Sequence, residues 1–265
     1  MRTVISHFYN EEYLLPWWLN HHKKYFDHGI MINYASTDDS VNIIKKICPT
    51  WEIVNSVNEQ FDAYQVNQEV EVYERKVSGW KIALNTTEFL VGNFNLLDSG
   101  ANKIFMMQFD TSESTSESKK YFYIPTFYFV EKDGKSYPNL STPLYDQLFY
   151  GVDYEDYPAL RSLRCMHNEN VHYPAGRHYT NYQDTTDQFI IFNYGFAPMN
   201  EHMVKRKLQI QHKIPLSDKQ TGSGVEHHNW GKGLTEEVLL EMCQEHREKS
   251  KDLSNKMKKY INLLP

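Results

Sequence analysis

The chain has 265 residues, with 28 Lys and Arg residues, 34 Asp and Glu residues and a formal net charge of −6. Hydrophobic residues make up 40% of the sequence and charged residues 23%, as in globular proteins that form a core without disulfides or a structural metal. The acidic balance argues against nucleic acid or an anionic membrane as the main partner.

The first hundred or so residues alternate between β-branched runs and amphipathic segments. The predicted strands are 3–8, 29–34, 51–54 and 80–84. The predicted helices are one that follows Asn10 or starts at Pro16, one over 41–47 and one within 62–76. Strands that alternate with helices predict an α/β fold with a mostly parallel central sheet.

Polar segments follow three of the predicted strands, at 9–12, 34–39 and 85–88. The carboxyl ends of parallel strands meet at one edge of a sheet, and ligands of α/β proteins bind there. The sequence therefore predicts a binding site at this edge.

The sequence beyond residue 100 is less regular. Aromatic and β-branched residues over 121–130, followed by a polar turn at 132–135, predict a β-hairpin. Between Thr235 and Ile261, a capping threonine, early acids and late lysines predict one long helix. We expect a single domain over 1–265, with one half at 1–100, a second half at 101–233 and a C-terminal helix at 234–265.

Three widely spaced cysteines, Cys48, Cys165 and Cys243, argue against a disulfide framework or a zinc knuckle. They favour a reducing compartment. The sequence opens on a strand-like run without the pattern of a signal peptide, and it has no run of 18 apolar residues. We therefore expect a cytoplasmic protein.

Several short motifs carry a family resemblance. They are 4–12 together with 36–38, then 84–90, 176–178, 205–208 and 222–227. With these motifs in this order, the chain resembles glycosyltransferases of the family 2 type, and most of all a small branch found in bacteria and large DNA viruses. If the protein is viral, the expected compartment is the cytoplasm of the host cell. The resemblance implies a GT-A fold with helices flanking the sheet, a nucleotide-sugar-binding first half and an acceptor-side second half. It also implies inverting transfer of a hexose or pentose from a nucleotide-sugar to a hydroxyl of a glycan or glycoprotein.

The resemblance implies a set of donor-binding residues. They are Phe8, Tyr9, Asn10, Glu11, Asn33, Ser36, Asp38, Asn85, Thr87, Arg177 and His178. Asn10 and Asp38 are equally explained as helix caps, and His178 as a buried core histidine. Asn33 stands where many relatives carry an acid.

The motif at 85–89 departs from the family at the metal site. Relatives show Asp-x-Asp followed by Glu and Phe, whereas this chain has Asn85 and Thr87 in place of the two acids. Asn193 also stands where relatives often place a histidine, which leaves Glu88 and His227 as candidate ligands for Mn²⁺ or Mg²⁺.

Two explanations of this departure stay open. Either positive side chains replace the metal, or the domain binds a sugar nucleotide without turning it over. The candidate cations are Arg161, Arg164, Arg177, Lys205, Arg206 and Lys207. Guanidinium groups suit phosphate, although a basic run such as 205–207 more often lies on a solvated surface.

An inverting transferase needs a carboxylate that accepts the proton of the acceptor hydroxyl. Asp153, Glu155 and Asp156 cluster in the sequence, and we predict Asp156 as this base, with Glu88 as a second catalytic group. A solvated acidic turn is the simpler explanation of the cluster. Two other functions are a non-catalytic sugar-nucleotide or glycan-binding domain and a nicotinamide-dependent oxidoreductase. The second is disfavoured because no Gly-x-Gly-x-x-Gly turn follows the first strand.

Overall fold

A computed structural model describes residues 1–98, 121–133, 135–153, 155–156, 163–178 and 186–265. The predicted α/β fold class is confirmed, with two sheets flanked by helices. The strands are β1 Arg2–Phe8, β2 His28–Asn33, β3 Glu52–Asn55, β4 Trp80–Ala83, β5 Glu88–Gly92, β6 Tyr121–Ile124, β7 Thr126–Val130, β8 Tyr150–Asp153, β9 Arg164–His167, β10 Phe189–Phe196 and β11 Lys251–Asp252. The helices are α1 Leu15–His22, α2 Ser40–Ile47, α3 Gln65–Glu74, α4 Asn95–Asp98, α5 Glu201–Gln209, α6 Leu216–Thr221, α7 Glu236–Lys249 and α8 Ser254–Ile261.

The first sheet has the strand order β3-β2-β1-β4-β9-β6. Strands β3, β2, β1 and β4 are parallel, whereas β9 pairs antiparallel with β4 and β6 pairs antiparallel with β9. The carboxyl ends of β1, β2 and β4 therefore lie at one edge, as predicted. Val4, Ile5 and Ile82 are fully buried in these strands, which explains why their sequences read as continuous apolar runs.

The second sheet has the strand order β11-β8-β7-β10-β5. Strand β5 pairs antiparallel with β10, so that Asn193 lies opposite Glu88. Helix α1 packs on β5, and the indole N–H of the fully buried Trp18 donates to the carbonyls of Glu88 at 2.8 Å and Asn85 at 3.1 Å. The core between the two sheets thus fixes the segment 85–88.

Two secondary-structure predictions are wrong. The segment 121–130 is not one continuous hairpin arm with a turn at 132–135, because the chain changes sheets at Pro125. Strand β6 pairs with β9 in the first sheet, whereas β7 pairs with β10 and, antiparallel, with β8, which begins only at Tyr150. The segment 235–261 is not one helix, because α7 ends before Ser250, whose backbone is extended, and β11 pairs with β8 before α8 begins. The buried Leu253 anchors this break.

Other local predictions are confirmed. Helix α1 begins at Leu15 with Pro16 in its first turn, where the missing N–H of proline costs nothing. The Thr235 hydroxyl accepts from the Val238 N–H at 3.2 Å and caps α7.

Among the helices of the described residues, none has the length and apolar character needed to span a membrane.

Candidate functional site

A cavity of about 480 Å³ opens at the carboxyl ends of β1 and β4. It brings together eight of the predicted site residues: Phe8, Tyr9, Glu11, Asn85, Thr87, Glu88, His178 and His227. Further lining residues include Phe61, Asn193, Phe196, Arg206, Lys207 and Glu226. The edge predicted from the strand pattern is therefore the edge at which this cavity lies.

The remaining residues of the first two loops hold the loops to each other. Ser36 Oγ accepts from the Asn10 N–H at 3.0 Å, and Asn10 Oδ1 accepts a backbone N–H of the second loop at 2.7 Å. Asp38 Oδ2 accepts from the Glu12 N–H at 2.9 Å, and Asn33 Oδ1 accepts from the Ser36 N–H at 2.9 Å. These four residues were predicted to bind the donor nucleotide-sugar, but they do not line the cavity. Their side chains instead shape the loops that border it.

Glu88 lines the cavity, but both of its carboxylate oxygens have partners in the protein. Arg164 donates to Oε1 at 2.6 Å and to Oε2 at 2.9 Å, and the Asn85 N–H donates to Oε2 at 2.8 Å. Both side chains of the ion pair are almost completely buried, with 1% and 2% exposed. Glu88 is therefore part of a buried structural ion pair at the cavity floor.

Arg164 also fixes a strained turn beside the cavity. Its Nη1 donates to the carbonyls of Gly176 at 2.7 Å and Arg177 at 3.0 Å. Gly176 has φ +68° and Arg177 has φ +57°, and the left-handed region favours glycine at the first of these positions. The glycine that the sequence pattern singled out is thus required by the backbone.

Arg177 is buried and does not line the cavity. Its guanidinium donates to Asn85 Oδ1 at 2.8 Å, to Asn67 Oδ1 at 3.2 Å and to His7 Nδ1 at 3.3 Å. Burial and the neighbouring Arg164 lower the pKa of Arg177 to about 10. It orients the Asn85 amide, which does line the cavity, instead of facing a ligand itself.

The donor set at the altered motif does not fit a divalent cation. Glu88 is held by Arg164, and Asn85 and Thr87 offer only neutral oxygens to an ion that prefers carboxylates. In the part of the chain that the structure describes, no three His, Cys, Asp or Glu side chains form a group that could hold a metal.

The basic run 205–207 lies on α5 and has three different environments. Lys205 is exposed and lies 3.8 Å from Glu12. Arg206 forms a two-pronged pair with Glu11, at 2.5 Å and 2.8 Å. Lys207 is buried, lines the cavity and places its Nζ 4.4 Å from the centre of the Phe196 ring. A solvated surface describes Lys205 but not its two neighbours.

The cavity also contains the turn that carries Glu226 and His227. Burial lowers the pKa of His227 to about 4, against the opposing effect of Glu226, whose carboxylate lies 3.6 Å away. Burial likewise lowers the pKa of His7 and His178 well below the ordinary value. These three histidines are therefore neutral at physiological pH and can exchange hydrogen bonds without adding charge.

Asp156 is not among the residues that line the cavity. It pairs with Lys251 at the protein surface, and a hydrogen bond from that lysine lowers the pKa of the carboxyl. Asp153 and Glu155 pair with Lys256. The acidic cluster is thus neutralised by lysines near β11 and α8. The role of Asp156 as the base stays a prediction, and the geometry does not favour it. Of the candidate cations, Arg161 lies outside the described residues.

Sequence reasoning named Lys207 only as one of six candidate cations and gave Glu226 no role, although both line the cavity. A signal for Lys207 exists, because Met203 lies four residues earlier and therefore on the same face of α5, and Met203 is fully buried. Glu226 has no such signal, because the turn that contains it has no periodic pattern.

No protein-family model matches the chain, and no curated protein matches it. Solved structures are similar to it at low identity. The chain is 12% identical to residues 1–349 of S. aureus TarS, covering 86% of this chain and 71% of that one with a TM-score of 0.40. The same fragment in complex with UDP-GlcNAc is 13% identical to the chain. That match covers 99% of this chain and 79% of the other, with a TM-score of 0.39.

A third similar structure is glucosyl-3-phosphoglycerate synthase from Mycobacterium tuberculosis in complex with Mn²⁺, UDP and glucosyl-3-phosphoglycerate. The identity is 15%, the match covers 48% of this chain and 44% of that one, and the TM-score is 0.28. These are distant likenesses, with identities of 12–15% and TM-scores of 0.28–0.40. The function of this chain is inferred from its own residues.

Proposed function

We propose that the cavity binds a nucleotide-sugar and that the protein transfers its sugar, a hexose or pentose, to a hydroxyl of a glycan or glycoprotein. The observation that carries this proposal is the position of the cavity. It lies at the carboxyl ends of the parallel strands β1 and β4, where α/β proteins bind nucleotides, and it contains residues of five of the motifs that resemble family 2 glycosyltransferases.

The lining of the cavity suits the parts of such a donor. Phe61 stacks on Tyr34 with ring centroids 4.2 Å apart, and its ring borders the cavity beside β1, where it can pack on a base. The Asn85 amide and the Thr87 hydroxyl can form hydrogen bonds with ribose or sugar hydroxyls. The lining thus combines aromatic rings with many polar and charged groups, which suits a ligand that carries a base, sugars and phosphates.

Transfer with inversion requires a base, and Glu226 fits this role best. Glu11 and Glu88 are both engaged by arginines, whereas no Lys or Arg of the described residues lies within ion-pair distance of the Glu226 carboxylate. In the proposed step, the carboxylate takes the acceptor's hydroxyl proton while the acceptor oxygen bonds to the anomeric carbon. The bond from that carbon to the diphosphate breaks, and the nucleoside diphosphate leaves with the electron pair.

A second candidate function is binding of a sugar nucleotide without turnover. The observation that favours it is the loss of acids at the altered motif, where Glu88 is committed to Arg164. The two candidates share the first event, occupation of the cavity. They differ in whether the bond between the sugar and the diphosphate is broken.

Calorimetric titration with UDP, GDP and TDP tests the shared event, and a panel of nucleotide-sugars then identifies the donor. We expect at least one nucleotide to bind more tightly than millimolar, which is about −4 kcal/mol. Absence of any binding at this level would overturn the proposal. Release of nucleoside diphosphate from a bound donor, with and without glycan acceptors, separates transferase activity from binding alone.

A further inference from the structure

The cations suggested by the sequence differ in whether they can meet an anion in the cavity. Arg164 and Arg177 are buried behind the lining and donate to protein acceptors. Arg206 reaches the cavity, but Glu11 neutralises it. Among the Lys and Arg residues that the structure describes, Lys207 alone both lines the cavity and has no carboxylate at ion-pair distance.

Lys207 is held in an environment that is costly for an unpaired charge. Only 5% of the residue is exposed, so its ammonium has lost most of its water. The Phe196 ring, 4.4 Å away, offsets part of this cost by a cation–π interaction. Because buried ammonium groups are normally paired, this arrangement is favourable mainly when an anion occupies the cavity.

We propose that the Lys207 ammonium binds the diphosphate of the nucleotide in place of the divalent ion of related enzymes. This inference rests on the proposed function. During transfer, negative charge develops on the diphosphate oxygen that leaves the anomeric carbon. Lys207 stabilises this oxygen by hydrogen bonds and charge without giving up its proton, so that no metal is needed to neutralise the leaving group.

The test compares Lys207→Met with Lys205→Met, because both substitutions remove one positive charge from α5. Met is close to Lys in length and can pack on the Phe196 ring, so Lys207→Met is expected to fold. Affinities for UDP, GDP and TDP are measured by calorimetry in EDTA and again in millimolar manganese. Circular dichroism and thermal unfolding confirm that each variant is folded.

We expect the wild type to bind a nucleoside diphosphate equally well in EDTA and in manganese. Lys207→Met should weaken this binding about tenfold to hundredfold, and Lys205→Met less than about twofold. Lys207→Arg should retain most of the affinity, because it keeps the charge.

Two results would overturn the inference while leaving nucleotide binding intact. One is a folded Lys207→Met variant with wild-type affinity, and the other is wild-type binding that requires manganese. A wild type that binds none of the three nucleotides would instead remove the proposed function on which the inference rests.

Discussion

The cavity is bordered by two charged regions that are built differently. The floor cluster consists of Glu88 and Arg164, whose charges are matched inside the protein. The wall cluster consists of Lys207 and Glu226, whose charged groups have no oppositely charged Lys, Arg, Asp or Glu partner at ion-pair distance among the described residues. Glu88, Lys207 and Glu226 lie in the short motifs described in the sequence, whereas Arg164 lies outside them.

The difference teaches how to separate structural from functional charges. A buried charge with complete pairing has little left to offer a ligand, and its removal chiefly costs stability. A buried charge without a partner, such as the Lys207 ammonium, is retained at a cost that an incoming ligand can offset, whereas the half-exposed Glu226 stays in contact with solvent.

Glu88→Gln should lower the free energy of unfolding by about 3–5 kcal/mol, because it leaves the Arg164 charge buried without its partner. Urea denaturation measures this loss, and Glu241→Gln, an exposed acid on α7, is the matched control. The double variant Glu88→Gln/Arg164→Met should recover part of the stability. A fully stable Glu88→Gln that loses only turnover would place Glu88 in the chemistry and erase the difference between the two clusters.

Glu226→Gln should reduce sugar transfer on the order of 10²-fold, because the amide cannot accept the acceptor's proton. Affinity for the nucleoside diphosphate should stay within about twofold, since the carboxylate faces the acceptor in the proposed step. Transfer rates with saturating donor measure the first quantity and calorimetry the second. Unchanged transfer would exclude Glu226 as the base, and Glu237→Gln on the exposed face of α7 provides the control.

Nucleotide affinity should decrease about tenfold between pH 7 and pH 9. Burial, and to a smaller extent Arg206, lower the pKa of Lys207 to about 8, so the ammonium is present below this pH and is lost as the pH rises through it. When only the charged form of the lysine binds the nucleotide, a pH one unit above the pKa lowers the affinity about tenfold. Calorimetry across this range measures the decrease.

The neighbours of Lys207 do not account for such a profile. They are Glu11, Arg206, Glu226, His227, Cys243 and His246. Burial raises the pKa of Cys243 to about 11 and lowers that of His227 to about 4, and the pKa of His246 is also lowered by burial. Lys207→Arg should therefore flatten the profile, and a decrease that persists in this variant would assign it to another group.

Asp156→Asn should have the smallest effect. Because Asp156 lies in a surface pair with Lys251, transfer and the urea midpoint should both stay close to wild type, with rates within about twofold. Steady-state kinetics and urea denaturation check this. A large loss of transfer in a folded Asp156→Asn variant would restore Asp156 as the base and displace Glu226.

Local patterns predicted much of the first sheet. The apolar runs of β1, β2 and β4 and the polar segments after them indicated the edge at which the cavity lies, because a buried parallel strand must be apolar and must end in a loop. They failed at Pro125, where the aromatic character of 121–130 is the same in both strands and only the pairing differs. They also failed at Ser250, where sheet pairing interrupts a helical pattern.

The local sequence patterns predicted the α/β alternation, the edge at which the cavity lies and the types of residue gathered there. These features depend on periodicity and chain order, which act over a few neighbouring residues. The tertiary structure alone decided which charges are matched. Glu88 meets Arg164 across 76 positions, and Glu11 meets Arg206 across 195. Since the energy of a charge depends on its burial and its partner, only the folded chain distinguishes the paired Glu88 from the unpaired Lys207.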